Sequence, residues 1–189
     1  MVAITKAVQD GTIPDSEVAV VISDKSKAPG LEKAAELGVE TLVITRKGRE
    51  RAEHDAEIVA ALKEHGVELV CLAGYMRLLS REFVREFPNR IMNIHPSLLP
   101  SFKGLDAQGQ AVEYGVKVSG CTVHFVDEEL DHGAIILQEA VKVLDSDTAE
   151  TLSERILSKE HASYVAAVRR IVSSDYEIKG RRVVFSTGC

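Results

Sequence analysis

A chain of 189 residues that is 45% hydrophobic and 28% charged has the composition of an ordinary soluble globular protein, read as a single domain over residues 1–189. Its formal net charge of −6 excludes the basic stripe of a general nucleic-acid binder. No apolar run approaches the roughly 20 residues of a membrane span, and nothing resembles a secretion signal, so a cytoplasmic protein with neither nucleic-acid nor membrane partners is expected.

The chain starts with apolar positions Val2, Ile4, Ala7 and Val8 at helical spacing, and Gly11 stops that helix before Pro14. VAVVIS at 18–23 is a nearly continuous β-branched run, which predicts a strand buried on both faces of a parallel sheet. A short helix over 29–37 closed by Gly38, a strand over 39–44, an amphipathic helix over 50–65 and a second buried strand over 67–74 follow. Residues 80–87 read as a helix that Ser80 can cap, and residues 90–94 as the next strand. Beyond Gly104 the rhythm changes. After a helix over 106–114, residues 116–127 and 134–143 alternate as antiparallel strands do, joined by the acidic segment from Asp127 to Gly133. One long helix over 148–173 and a hairpin turning at Lys179 and Gly180 complete the chain. The expected fold is α/β, parallel in its first half with an antiparallel C-terminal extension.

The chemistry converges on RIMNIHPSLLPSFKG, residues 90–104. Asn93 and His95 are two apart in a strand, so their side chains share a face just before Pro96 turns the chain away. Ligands bind beyond the carboxyl ends of strands in open α/β sheets. As a bare pattern, His95 fits a ligand-facing group and a structural cap equally. His54 and His65 are read as solvated surface of the 50–65 helix. His124 is read as a hydrogen-bonded core histidine, and Asp131 fits turn chemistry. Glu160 and His161 lie in the last helix. The cysteines Cys71, Cys121 and Cys189 lack metal-ligand spacing, and Cys71 and Cys121 read as buried free thiols of a reducing cytosol. No H-x-x-x-H or H-x-H pattern points to a metal, and Ser97 has no nucleophile elbow around it. Acyl or one-carbon transfer remains, where an amide and an imidazole can stabilise a developing oxyanion and a carboxylate can help move protons.

AGYMRLLS (73–80), NIHPSLLPSFKG (93–104), GCTVHFVDEELDHGAIILQ (120–138) and TLSERILSKEH (151–161) together resemble the phosphoribosylglycinamide formyltransferases, the glycinamide ribonucleotide transformylases of purine synthesis. The resemblance implies a Rossmann-like, mostly parallel sheet with helices on both faces. It implies formyl transfer from 10-formyltetrahydrofolate to the amine of glycinamide ribonucleotide, without a metal. Asn93, His95 and Asp131 would be the catalytic trio. Met76, Arg77, Leu78 and Leu79, with Asp127, Glu128 and Asp131, would hold the folate. Arg51 would lie near the substrate's phosphate, Glu160 would hold its ribose hydroxyls, and the Leu99–Pro100 bond would be cis. The partners implied are small molecules, with the chain a monomer or homodimer.

Two departures stand out. His132 follows Asp131 where family members often have a smaller residue. Family members also begin with a strand and a glycine-rich G-x-G-S-N loop, a phosphate cradle at a helix N-terminus. Here Met1 falls where that loop should end, so the first strand is expected to be missing. Residues 18–23 and 67–72 should then face each other across an open slot, with ribonucleotide binding weakened. The competing readings are a catalytically impaired folate-binding remnant and another enzyme of the formyl-transfer superfamily.

Overall fold

The computed structural model describes residues 1–186. Its first half alternates helix and strand: α1 (Val2–Gln9), β1 (Val21–Ser23), α2 (Pro29–Glu36), β2 (Thr41–Val43), α3 (Arg51–Glu64), β3 (Val70–Cys71), α4 (Arg81–Glu86) and β4 (Ile91–His95). Local signals set these ends. Pro29 opens α2, where its missing N–H costs nothing, and the Ser80 hydroxyl accepts from Phe83 N–H at 3.2 Å at the start of α4. The second half holds α5 (Ala107–Tyr114), β5 (Val118–Phe125), β6 (Ile135–Lys142), α6 (Ala149–Ser173), β7 (Tyr176–Lys179) and β8 (Arg182–Phe185). Thr148 caps α6 reciprocally with Thr151, satisfying a donor on each.

The strands form two sheets. β1 and β2 pair parallel, and a six-stranded sheet runs β3-β4-β5-β6-β8-β7. β3 and β4 are parallel, whereas β5 runs antiparallel to both of its neighbours, β4 and β6, so the change from parallel to antiparallel pairing falls at the strand carrying Asn93 and His95. Ile91 and Met92, both fully buried, are neighbours on β4 and therefore point to opposite faces. Met92 joins a core with Ile4 of α1 and Val168 of α6, and Ile91 joins another with Ile58 of α3 and Phe83 of α4. Helices thus cover both faces. Burying side chains of this size is worth about 1.5–3 kcal/mol each.

β1 and β3 are shorter than the apolar runs at 18–23 and 67–74 predict. Among the described residues each has a strand partner on one side only, and a ladder cannot extend without one. A cleft of about 1990 Å³ lies between residues 15–25 and 65–75, where the slot was expected. Cys71 lines its wall and is half-buried rather than buried, while Cys121 is fully buried and Cys189 lies outside the described residues.

The histidines of α3 also differ from expectation. His54 is fully buried, and its Nε2–H donates to the Ile44 carbonyl at 2.8 Å. It lies four and eight residues before Ile58 and Leu62, both buried, and so on the same helical face. His65 is half-buried and lies against the Ala61 carbonyl (2.6 Å) and Glu40 (3.3 Å). The carbonyl first, then the Glu40 carboxylate, raise its basicity.

Candidate functional site

β4 presents Asn93 and His95 on one face, and the antiparallel register sets His124 opposite Asn93 and Thr122 opposite His95. Directly opposed residues share a face, so the four side chains form one polar group on an otherwise apolar sheet. The turn after β4 is tied to that group. The Thr122 hydroxyl donates to the Ser97 carbonyl at 2.7 Å and accepts from Leu99 N–H at 3.0 Å. Gln138 donates both to Thr122 (2.9 Å) and to the Leu99 carbonyl (3.0 Å). The Leu99–Pro100 peptide bond is cis, as the resemblance implies.

Asp131 arrives from the β5–β6 connection. It is held in the left-handed region at φ 46° and its side chain is only 8% exposed. Its Oδ2 accepts from Gly104 N–H at 2.8 Å and lies 3.5 Å from His95 Nδ1. The other ring nitrogen, Nε2, donates to the Phe102 carbonyl at 2.8 Å. A neutral imidazole has one donor and one acceptor, but both nitrogens of this buried ring face oxygen acceptors. An imidazolium would donate to both.

The surrounding loops are fixed by pairs of their own. Glu128 lies between Arg81 (3.3 Å) and Arg85 (3.2 Å) and ties the β5–β6 connection to α4. His132, the unusual neighbour of Asp131, pairs with Asp127 at 2.8 Å and closes the loop on itself. The expected folate segment presents Met76 (72% exposed) and Leu78 (49%), with Leu79 half-buried beside them. Arg77 Nη1 is buried with no hydrogen-bond partner among the described residues.

Sequence reasoning missed the group that anchors this segment. Asp55, fully buried on α3, accepts from Ser80 N–H at 2.7 Å and from the Tyr75 hydroxyl at 3.4 Å. The signal was available, because Asp55 follows His54 on the face that also buries Ile58 and Leu62. These two bonds tie both ends of residues 75–80 to α3.

Of the remaining expected site residues, Arg51 stands exposed on the first turn of α3 and Glu160 is half-buried on α6. Neither makes a hydrogen bond or ion pair with Asn93, His95 or Asp131 among the described residues. The large cleft does not include those three residues either. Its walls come from β1, β3 and neighbouring helices, whereas the polar group sits at the β4–β5 pairing.

Comparison with known proteins gives a consistent answer. A family model described as formyl transferase matches residues 1–168. A Bacillus subtilis phosphoribosylglycinamide formyltransferase is 41% identical over 159 residues, covering 84% of this chain and 82% of that protein. The trifunctional purine biosynthetic protein adenosine-3 of Gallus gallus is 49% identical over 164 residues, 86% of this chain. The match spans only 16% of that much longer relative. Among solved structures, glycinamide ribonucleotide transformylase 1 from Symbiobacterium toebii superposes with a TM-score of 0.94 at 51% identity, covering 97% of this chain and 87% of that one.

Proposed function

The chain belongs to the formyl transferase family, and from that premise we propose that it transfers a formyl group from 10-formyltetrahydrofolate to the primary amine of glycinamide ribonucleotide. The observation that carries the proposal is the buried His95–Asp131 pair at 3.5 Å, on the face of β4 that also bears Asn93. Attack of the amine on a formyl carbon produces a tetrahedral oxyanion and a nitrogen with a proton to lose. The Asn93 amide donates to that oxyanion, and the His95 imidazolium adds a charged donor. The Asp131 carboxylate, 3.5 Å from Nδ1, favours a charged ring by its proximity before it accepts the amine proton. Removing one such oxyanion donor typically costs on the order of 100–1,000-fold in rate.

The folate donor fits residues 76–79 and 127–131. Exposed Met76, Leu78 and Leu130 offer apolar surface to a flat ring. Arg51 would meet the phosphate end of the ribonucleotide and Glu160 its ribose hydroxyls. An assay supplied with both substrates tests the reading by following tetrahydrofolate release. Release is expected to depend on the ribonucleotide. Release of formate without it, with water as acceptor, would assign a hydrolase instead.

Glu160 carries a further expectation. Burial pushes its carboxyl above the usual glutamate range. A carboxyl whose folded-state proton affinity is raised favours folding below its unfolded pKa and loses that contribution as pH rises through the folded value. At neutral pH the charged Glu160 therefore opposes folding. Glu160→Gln should raise the melting temperature at pH 7, and the advantage should vanish as pH falls through the glutamate range. The same change should weaken ribonucleotide binding by about tenfold or more, since hydrogen bonds to a charged acceptor are lost. Thermal unfolding across pH, with calorimetry of the ribonucleotide, checks both halves. This is the pattern of a residue kept for binding at a cost in stability.

A further inference from the structure

Only one of the two carboxylate oxygens of Asp131 is accounted for. Oδ2 takes Gly104 N–H and faces His95, whereas Oδ1 faces Nε2 of His124 at 3.9 Å. His124 is 2% exposed, and its Nδ1–H donates to the Phe125 carbonyl at 2.7 Å. That bond fixes the tautomer and leaves Nε2 as a bare lone pair, buried and without a hydrogen-bond partner among the described residues. Two acceptors face each other, and the arrangement improves only when a proton arrives between them.

We propose that His124 is a positioning residue for the transfer, its Nε2 accepting a hydrogen bond from Asp131 Oδ1–H while Asp131 holds the proton taken from the attacking amine. The inference rests on the formyl-transfer reading of the site. The proton balance is simple. The amine N–H bond breaks as the Asp131 O–H bond forms. The O–H bond then breaks as the leaving nitrogen takes the proton and its bond to carbon opens. His124 begins and ends neutral. A closing movement of about 1 Å brings Nε2 and Oδ1 to hydrogen-bond distance.

The opposite possibility is a charged His124 paired with the Asp131 carboxylate. Burial is the largest influence on His124 and disfavours its charged form, ahead of the Phe125 carbonyl, which favours it. The charged or titratable groups facing it are Asp131 and Asp127, which favour the cation, and His95, which opposes it. The two possibilities predict opposite pH behaviour. With a neutral acceptor, losing His124 loosens the proton on Asp131, so the carboxylate base persists to lower pH. With a charged partner, losing it tightens that proton.

Nitrogen-15 NMR of the imidazoles in the full unliganded chain should show His124 neutral near pH 7.5, with the proton on Nδ1 and a bare Nε2. A charged ring, or a proton on Nε2, overturns the proposal whether or not the enzyme turns over, which separates it from failure of the formyl-transfer reading. His124→Phe removes the acceptor at similar volume. It should lower kcat about tenfold, the worth of one hydrogen bond, with KM for either substrate held within about twofold. The acid limb of kcat should move down by about one pH unit. His124→Gln, which can place an amide oxygen near the Nε2 position, should recover most of the loss. An acid limb that moves up, an unchanged kcat, or a glutamine variant as impaired as the phenylalanine variant overturns the proposal. Should the phenylalanine variant fail to fold, the NMR tautomer and the glutamine variant's acid limb, expected to stay in place, decide the question.

Discussion

Asp131→Asn is expected to reduce formyl transfer by roughly a thousandfold while leaving the protein folded, the scale of losing a general base together with its electrostatic support. The substitution preserves shape, and the asparagine oxygen can still accept Gly104 N–H, which Asp131 Oδ2 now binds at 2.8 Å. Two things disappear. The anion 3.5 Å from His95 Nδ1 is lost, so a protonated ring would no longer have a charged partner. The acceptor for the amine proton is lost as well, since an amide cannot take it. Folate binding should change by less than about threefold, because the asparagine keeps the shape of Asp131 and most of the folate contacts are assigned to residues 76–79 and the rest of the 127–131 loop. Single-turnover kinetics and calorimetry with a folate analogue separate the two effects. Turnover near that of the wild type would remove Asp131 from the chemistry.

The second large effect is expected at Gly133, two residues further on. A Cβ built there would lie 1.9 Å from the Phe125 carbonyl oxygen and 2.7 Å from its carbon, both rigid backbone atoms. The chain passes this close because Phe125 N–H donates to the Ala134 carbonyl at 2.9 Å, which closes the β5–β6 connection. Gly133→Ala cannot be accommodated by a rotamer change, so the connection must lift away from β5. Overpacking of this kind costs about 3 kcal/mol or more. For a chain of this size that corresponds to roughly 6–12 °C in melting temperature. Where the variant still folds, Asp131 moves with the connection, away from His95 and His124. A misplacement of about 1 Å typically costs on the order of 100-fold in rate. Thermal unfolding and kcat measured on one preparation check both effects. A variant within 2 °C of the wild type with unchanged kcat would show that the connection yields where its geometry says it should not.

Gly133 also marks the boundary of what the sequence reveals. The pairing of Asn93 with His95 follows from the two-residue period of a strand, and the cap at Ser80 follows from residue type alone. Both are local properties. Asp131 reaches His95 only through an eight-residue antiparallel strand, a close backbone approach at Gly133 and a left-handed residue, none of which is encoded near either partner. A carboxylate in a polar turn therefore reads as a turn residue until the tertiary fold is known. The family resemblance supplied that assignment; periodicity could not. Misreading His54 as exposed has a different cause. The buried face of α3 mixes His54 and Asp55 with Ile58 and Leu62, so its apolar stripe is interrupted where the helix carries its buried polar anchors. The strands fell short because an apolar run reports what can be buried, whereas a ladder also needs a neighbour.

The cleft between β1 and β3 divides the molecule into parts of unequal cooperativity. No ladder crosses it among the described residues, and β1 and β2 are joined to the rest through side-chain packing around Ile44 and Ile58. β4, β5 and β6 share continuous ladders with α6 packed across them. Structures assembled this way open in sub-global units, with the least-laddered unit opening at the lowest free energy. Amide hydrogen exchange should therefore run faster at Val21, bonded to Glu40, than at Val123 in the middle of β5. A ligand that touches both banks of the cleft would slow exchange at Val21 in proportion to its binding free energy, since it stabilises only the closed form. The strand pair that holds Asn93, His95 and His124 should keep its own slow exchange throughout. The catalytic face would then stay assembled while the other bank opens and closes beside it.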